Sequence, residues 1–232
     1  MEKIFFVSLF GLVSFQSTSQ NVQLHYDFGE GRKMITSTAE VFKRDSFGSS
    51  FFFVDFDYGS KSSQVDGISR GYWELSRELR FWEPPISIHV EYDGGLFRTK
   101  TTSGAINSSY LFGTSYLFKN QNFTRTLSIQ ILYKYIQDAN NAAFQITAVW
   151  GLHLFNRKLS LTGFADFWRQ DVTVFDDNGN SSSANYVFVT EPQLWYNIKP
   201  YLSVGGEIEI SSNFSGNKGF MVNPTIAIKW VL

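Results

Sequence analysis

Cysteine is missing from this 232-residue chain, which excludes a disulfide framework and any thiolate metal or redox centre. Net charge is nearly missing too, with 20 Lys and Arg against 21 Asp and Glu. A nucleic-acid partner needs a basic face, so none is expected. Proline is scarce, at five residues. No run reaches the ~18 consecutive apolar residues of a transmembrane helix. Fixed-length repeats, low-complexity tracts and a domain boundary are absent as well. The most linker-like stretch, Asp176 to Asn185, reads as a surface loop. One large domain is expected.

What is present begins with a leader. Met1, Glu2 and Lys3 precede the apolar Ile4 to Phe15, followed by the small polar Ser17, Thr18 and Ser19. A charged start, an apolar centre and a small-residue cleavage zone describe a signal peptide. We assign 1–20 to a cleaved signal peptide and 21–232 to the mature domain. Aromatic content is high, at 18%, and an exported, cysteine-free aromatic chain suggests the bacterial envelope.

The dominant period is two. Leu127, Ile129, Ile131, Tyr133 and Tyr135 alternate with Ser128, Gln130, Leu132 and Lys134, and the last strand runs Ile226, Ile228, Trp230, Leu232 on one phase. Alternation gives each strand one apolar and one polar face. Twelve strands are expected, at about 22–28, 34–42, 49–58, 71–79, 86–93, 107–118, 124–136, 142–154, 158–168, 186–197, 202–212 and 219–231. The connections alternate between short turns and long loops, the latter including 59–70, 94–106 and 169–185. A soluble sandwich or a lipocalin-like barrel would hide the apolar face, and periodicity alone does not distinguish inside from outside. The leader, the strand lengths and the loop asymmetry favour an all-β, transmembrane, antiparallel up-and-down β-barrel of about twelve strands. Its short turns are expected to be periplasmic and its longer loops extracellular. The expected location is the bacterial outer membrane, with lipid around the barrel.

The polar phase then faces the lumen. It includes Phe51, Phe53, Asp55, Asp57, Tyr72, Glu74, His89, Glu91, Phe164, Asp166, Trp168, Glu191, Trp195, Glu207 and Glu209 as candidate solute-contacting residues. Rings with hydrogen-bonding groups suit a planar polar solute. Lumenal carboxylates could equally pair with Lys134 or Lys229. Arg77 falls on the lipid phase and belongs near the periplasmic rim, where a charge is tolerated. Two other function classes remain open: a lipid-modifying barrel enzyme and a closed structural or adhesive barrel. For the enzyme, Ser87, His89 and Glu91 stand at period-two spacing, in single file on one strand. No catalytic activity, cofactor or metal centre is expected, since nothing closes a ligand set around His89, Glu91 and Asp93.

Several segments resemble a known family. LHYDFG (24–29), FFFVDFDYG (51–59), YWELSREL (72–79), FADFW (164–168), TEPQLWYN (190–197) and GFMVNPTIAIKW (219–230) are similar to Tsx-like outer-membrane proteins, a group related to nucleoside-specific channel-forming porins. Within that group they look like its Bacteroidetes-type branch. The resemblance implies a monomeric twelve-stranded barrel whose narrow pore binds nucleosides by aromatic stacking and ionisable groups.

Overall fold

The alternating segment Leu127 to Tyr135 forms one wall strand, and the same pattern repeats around a closed sheet. A computed structural model describes residues 18–59, 63–139 and 143–232. Residues 1–17 of the expected leader lie outside the described residues, whereas Thr18, Ser19 and Gln20 open the first strand opposite Lys43, Phe42 and Val41. The strands are β1 (Thr18–Asp27), β2 (Ile35–Asp45), β3 (Gly48–Tyr58), β4 (Ile68–Leu79), β5 (Ile86–Arg98), β6 (Ser103–Lys119), β7 (Arg125–Ile136), β8 (Ala143–Leu154), β9 (Leu159–Phe175), β10 (Ser181–Thr190), β11 (Gln193–Lys199), β12 (Leu202–Ser212) and β13 (Phe220–Val231).

Apart from β10 and β11, which do not pair with each other, consecutive strands pair antiparallel, and β1 closes the ring against β13. The segments β10 and β11 both pair with β9 and both pair with β12, so together they form one stave of a twelve-stave barrel. The single strand expected at 186–197 is therefore split at Glu191–Pro192. Pro192 has no N–H to give the ladder. Opposite the split, Gly163 sits at φ 151°, where an added Cβ would meet the Glu191 carbonyl oxygen at 2.5 Å and the Trp150 ring at 2.8 Å. Glycine is required there by both conformation and space.

Two expected loops prove shorter than the spacing suggested. Segments 94–106 and 169–185 are strand for most of their length, because β5–β6 and β9–β10 continue as hairpins with turns at 99–102 and 176–180. Val172 and Val174 keep the alternation going beyond the expected end of β9, and Val174 is buried.

The two faces separate as expected. Apolar side chains cover the exterior; Ile131, Ile226 and Phe112 are 64%, 61% and 59% exposed, a surface that only lipid covers favourably. Aromatic girdles mark both edges. Tyr92, Tyr110 and Tyr135 form a chain at the long-loop edge, with Phe144, Phe167 and Tyr186 beside them. Tyr116 with Phe118 and Tyr201 with Trp230 mark the short-turn edge. Arg77, on the outer phase, donates to both Asp45 oxygens at 2.7 and 2.9 Å beside the β2–β3 turn. That places it at the periplasmic rim. This is an outer-membrane-type β-barrel, built from the sequence's period of two.

Candidate functional site in the barrel lumen

Directly opposed residues on neighbouring strands share a face. The register sets Thr38 opposite Asp55, Asp55 opposite Tyr72, Phe53 opposite Glu74, and Glu74 opposite Asp93. Farther round, Thr147 faces Asp166, Gln145 faces Trp168, and Gln193 faces Glu207. The candidate residues therefore line one continuous interior wall.

They divide by accessibility. Phe51, Phe53, Asp55, Tyr72, Glu74, Glu91, Phe164, Asp166, Glu191 and Glu207 are half-buried. Because they lie on the inner phase of a closed sheet, the surface they retain faces the barrel interior. Asp57, His89, Trp168, Trp195 and Glu209 are buried, with Trp195 and His89 at 1% exposure. These five are packed into the wall.

Their neighbours explain the division. The Lys229 ammonium lies 3.9 Å from the Trp195 ring centroid, and the Lys134 ammonium lies 4.6 Å from that of Trp168. Each ring thus receives a cation on its π face, the buried Lys134 and the half-buried Lys229. Lys134 also donates to Gln145 at 2.6 Å and stands 4.0 Å from Asp93. Of the two expected lysine–carboxylate pairings, Lys134 retains a long one, whereas Lys229 turns to a ring. His25 packs edge-on against Trp195 with centroids 5.9 Å apart. The accessible rings are elsewhere: Phe51, Phe53 and Tyr72 form a tilted ladder with centroids 5.9 and 6.0 Å apart.

The carboxylates fall into groups. Near the extracellular end, Arg32 bridges Asp27 and Glu209, each at 2.6 Å, and Arg70 holds Asp57 at 2.8 Å. Burial opposes the charge on Arg32, but the Glu209 and Asp27 carboxylates outweigh it and hold its pKa above the usual value. Deeper, Gln193 donates to Glu207 and Thr38 donates to Asp55. On the β4–β5 wall, Tyr72 donates to Glu74 at 2.8 Å, while His89 lies between Glu78 at 2.8 Å and Glu91 at 3.0 Å. Both His89 nitrogens are thus engaged by carboxylates, and the Ser87 hydroxyl is not their partner. A Ser–His hydrogen bond does occur, between His153 Nδ1 and Ser160 Oγ at 2.9 Å near the periplasmic end.

Two loop residues absent from the sequence-based set enter the lumen ends. Phe214, in the β12–β13 loop, meets Trp168 edge-on at 6.1 Å and joins Ile136, Val187 and Val189 in an apolar cluster. Phe123, in the β6–β7 turn, is contacted by Lys119 at 4.1 Å and by Arg44 at 5.0 Å. Neither position carries a sequence signal, since each lies in a turn outside the alternating pattern. The valines share the phase of Glu191 and Trp195 and could have been found by extending it.

The barrel is similar to solved outer-membrane porins. A KdgM porin aligns at a TM-score of 0.51 with 10% identity, covering 91% of this chain and 98% of that one. The same porin in complex with disordered oligogalacturonate aligns at 0.50 with 9% identity, with the same coverage. The NanC porin aligns at 0.58 with 8% identity, covering 92% and 100%. At these identities the likeness establishes the fold. No curated protein matches the sequence. The model of the family described as a domain of unknown function, DUF5020, matches residues 19–232, and the chain belongs to that family.

Proposed function

We propose that this protein is an outer-membrane channel through which small polar solutes diffuse, with planar, nucleoside-like molecules as the preferred class. The observation that carries the reading is the strip of half-buried lumenal side chains, above all the Phe51–Phe53–Tyr72 ladder beside Asp55 and Glu74. A planar base gains by stacking on such rings, and a sugar's hydroxyls can donate to the neighbouring carboxylates. Contacts of this kind stay weak enough to release the solute.

Charge supports a neutral or cationic cargo. Asp55, Glu74, Glu91, Asp166, Glu191 and Glu207 keep surface toward the lumen, whereas Lys134 and Lys229 rest on tryptophan rings. A polyanion such as the oligogalacturonate named with the KdgM porin would meet repulsion here. The engagement of both His89 nitrogens by carboxylates supports a wall role for His89 over a hydrolytic one.

Liposome swelling with purified protein tests the reading. Nucleosides are expected to enter faster than sugars of matched size, and Phe53→Ala should reduce that advantage. Equal rates for both solutes would remove the nucleoside preference, and no swelling with any solute would remove the channel itself.

A further inference from the structure

Strands β4 and β5 bring three carboxylates together. Glu91 and Asp93 stand two apart on β5, so both point to one face, and the register places Glu74 directly opposite Asp93. One oxygen from each of Glu74, Glu91 and Asp93 lies within 4.8 Å of the others. Like charges opposite one another weaken a ladder, and a barrel interior screens them less than water does. Among the described residues, the neighbouring cations answer this arrangement only in part. His89 is shared between Glu78 and Glu91, while Lys134 reaches Asp93 only at 4.0 Å and sits closer to Gln145.

A second observation points to a ligand. Asp93 is 4% exposed; its Oδ2 faces Lys134 at 4.0 Å, and its Oδ1 is buried with no hydrogen-bond donor among the described residues. A buried carboxylate oxygen without a partner is destabilising. Beside two further carboxylates, its free electron pairs are those of a metal ligand.

We infer that Glu74, Glu91 and Asp93 form a divalent-cation site of the calcium type inside the barrel. Calcium takes carboxylate oxygens at about 2.3–2.6 Å in irregular geometry, so oxygens across the ion stand ~5 Å apart. Oxygens all within 4.8 Å of one another fit within that limit. Magnesium demands a stricter octahedron and keeps more water. Tyr72 donates to Glu74 at 2.8 Å and His89 pairs with Glu91 at 3.0 Å, hydrogen bonds of the kind that orient ligand carboxylates. The site stands independently of whether the barrel conducts.

Terbium is a suitable probe, because a nearby tyrosine sensitises its luminescence. Full-length protein in detergent is expected to light bound Tb³⁺ through Tyr72, and Ca²⁺ should displace it at lower concentration than Mg²⁺. Calcium should also raise the melting temperature. Asp93→Asn and Glu74→Gln should each weaken binding about tenfold or more and remove the thermal shift, while the exposed-turn variant Glu83→Gln should keep both. Absence of terbium binding and of a calcium-dependent shift in the wild type would overturn the site; shared protons would then account for the cluster. Undiminished binding in either folded variant would overturn it equally, by placing the ion on other acids. Heat-modifiable migration on gels reports which variants are folded.

Discussion

Arg44 and Phe123 meet across the periplasmic mouth: the guanidinium carbon lies 5.0 Å from the ring centroid. Arg44 belongs to β2, while Phe123 belongs to the turn between β6 and β7, and three strands, β3 to β5, stand in the wall between β2 and β6. The contact therefore spans the opening instead of running along the wall. Lys119 approaches the same ring at 4.1 Å, and Arg157 donates to the Asn122 carbonyl at 3.1 Å. The turn is thereby tied to both sides of the mouth.

Removing that ring should widen the exit. Phe123→Ala is expected to increase single-channel conductance in planar bilayers, with Arg44→Ala giving a smaller rise. A cation–π contact at an accessible site contributes only about 0.5–1 kcal/mol, so the barrel should stay folded. Conductance equal to wild type in both variants would show that the turn does not limit flow.

The extracellular end gives a contrasting expectation. Phe214 packs on Trp168 within an apolar cluster, so Phe214→Ala should lower stability by roughly 1–2 kcal/mol, below the ~3–5 kcal/mol of a fully buried Phe. Unfolding by denaturant in detergent measures this, and Trp168 fluorescence should change in parallel.

Lumenal charge should set ion preference. In a salt gradient, the reversal potential of the wild type should indicate preference for cations. Asp55→Asn combined with Glu207→Gln should move it toward zero, because both carboxylates keep surface toward the barrel interior. An unchanged potential would place the selective step elsewhere.

Gly163 offers a test of the backbone. Alanine there would bring its Cβ to 2.5 Å from the Glu191 carbonyl at a φ of 151°, a conformation and a contact that L-residues avoid. Gly163→Ala should destabilise the barrel by about 2–3 kcal/mol, read as a lowered temperature for the gel-mobility shift. Wild-type behaviour would mean that the β9–β11 crossing relaxes more easily than the packing suggests.

Sequence alone determined the all-β class, the number of staves and the face of nearly every residue, because period two is a local property of extended backbone. SSFFFVDFDYG shows it: Phe51, Phe53, Asp55 and Asp57 fall on the inner face, and each has a register partner there. The break at Glu191–Pro192 was not read from the sequence, where 186–197 was expected as one strand; the structure splits it, because Pro192 has no N–H to give the ladder. Only the closed structure decided which inward groups remain accessible. Trp195 and Phe53 lie on the same phase, yet Lys229 covers one ring while the other stays open, because strand β13 is brought beside β1 and β12 by closure. The meeting of Glu74 with Asp93 needed the register, and the reach of Phe123 to Arg44 needed the curvature. Alternation assigns a side chain to a face, but only the closed barrel assigns it a neighbour.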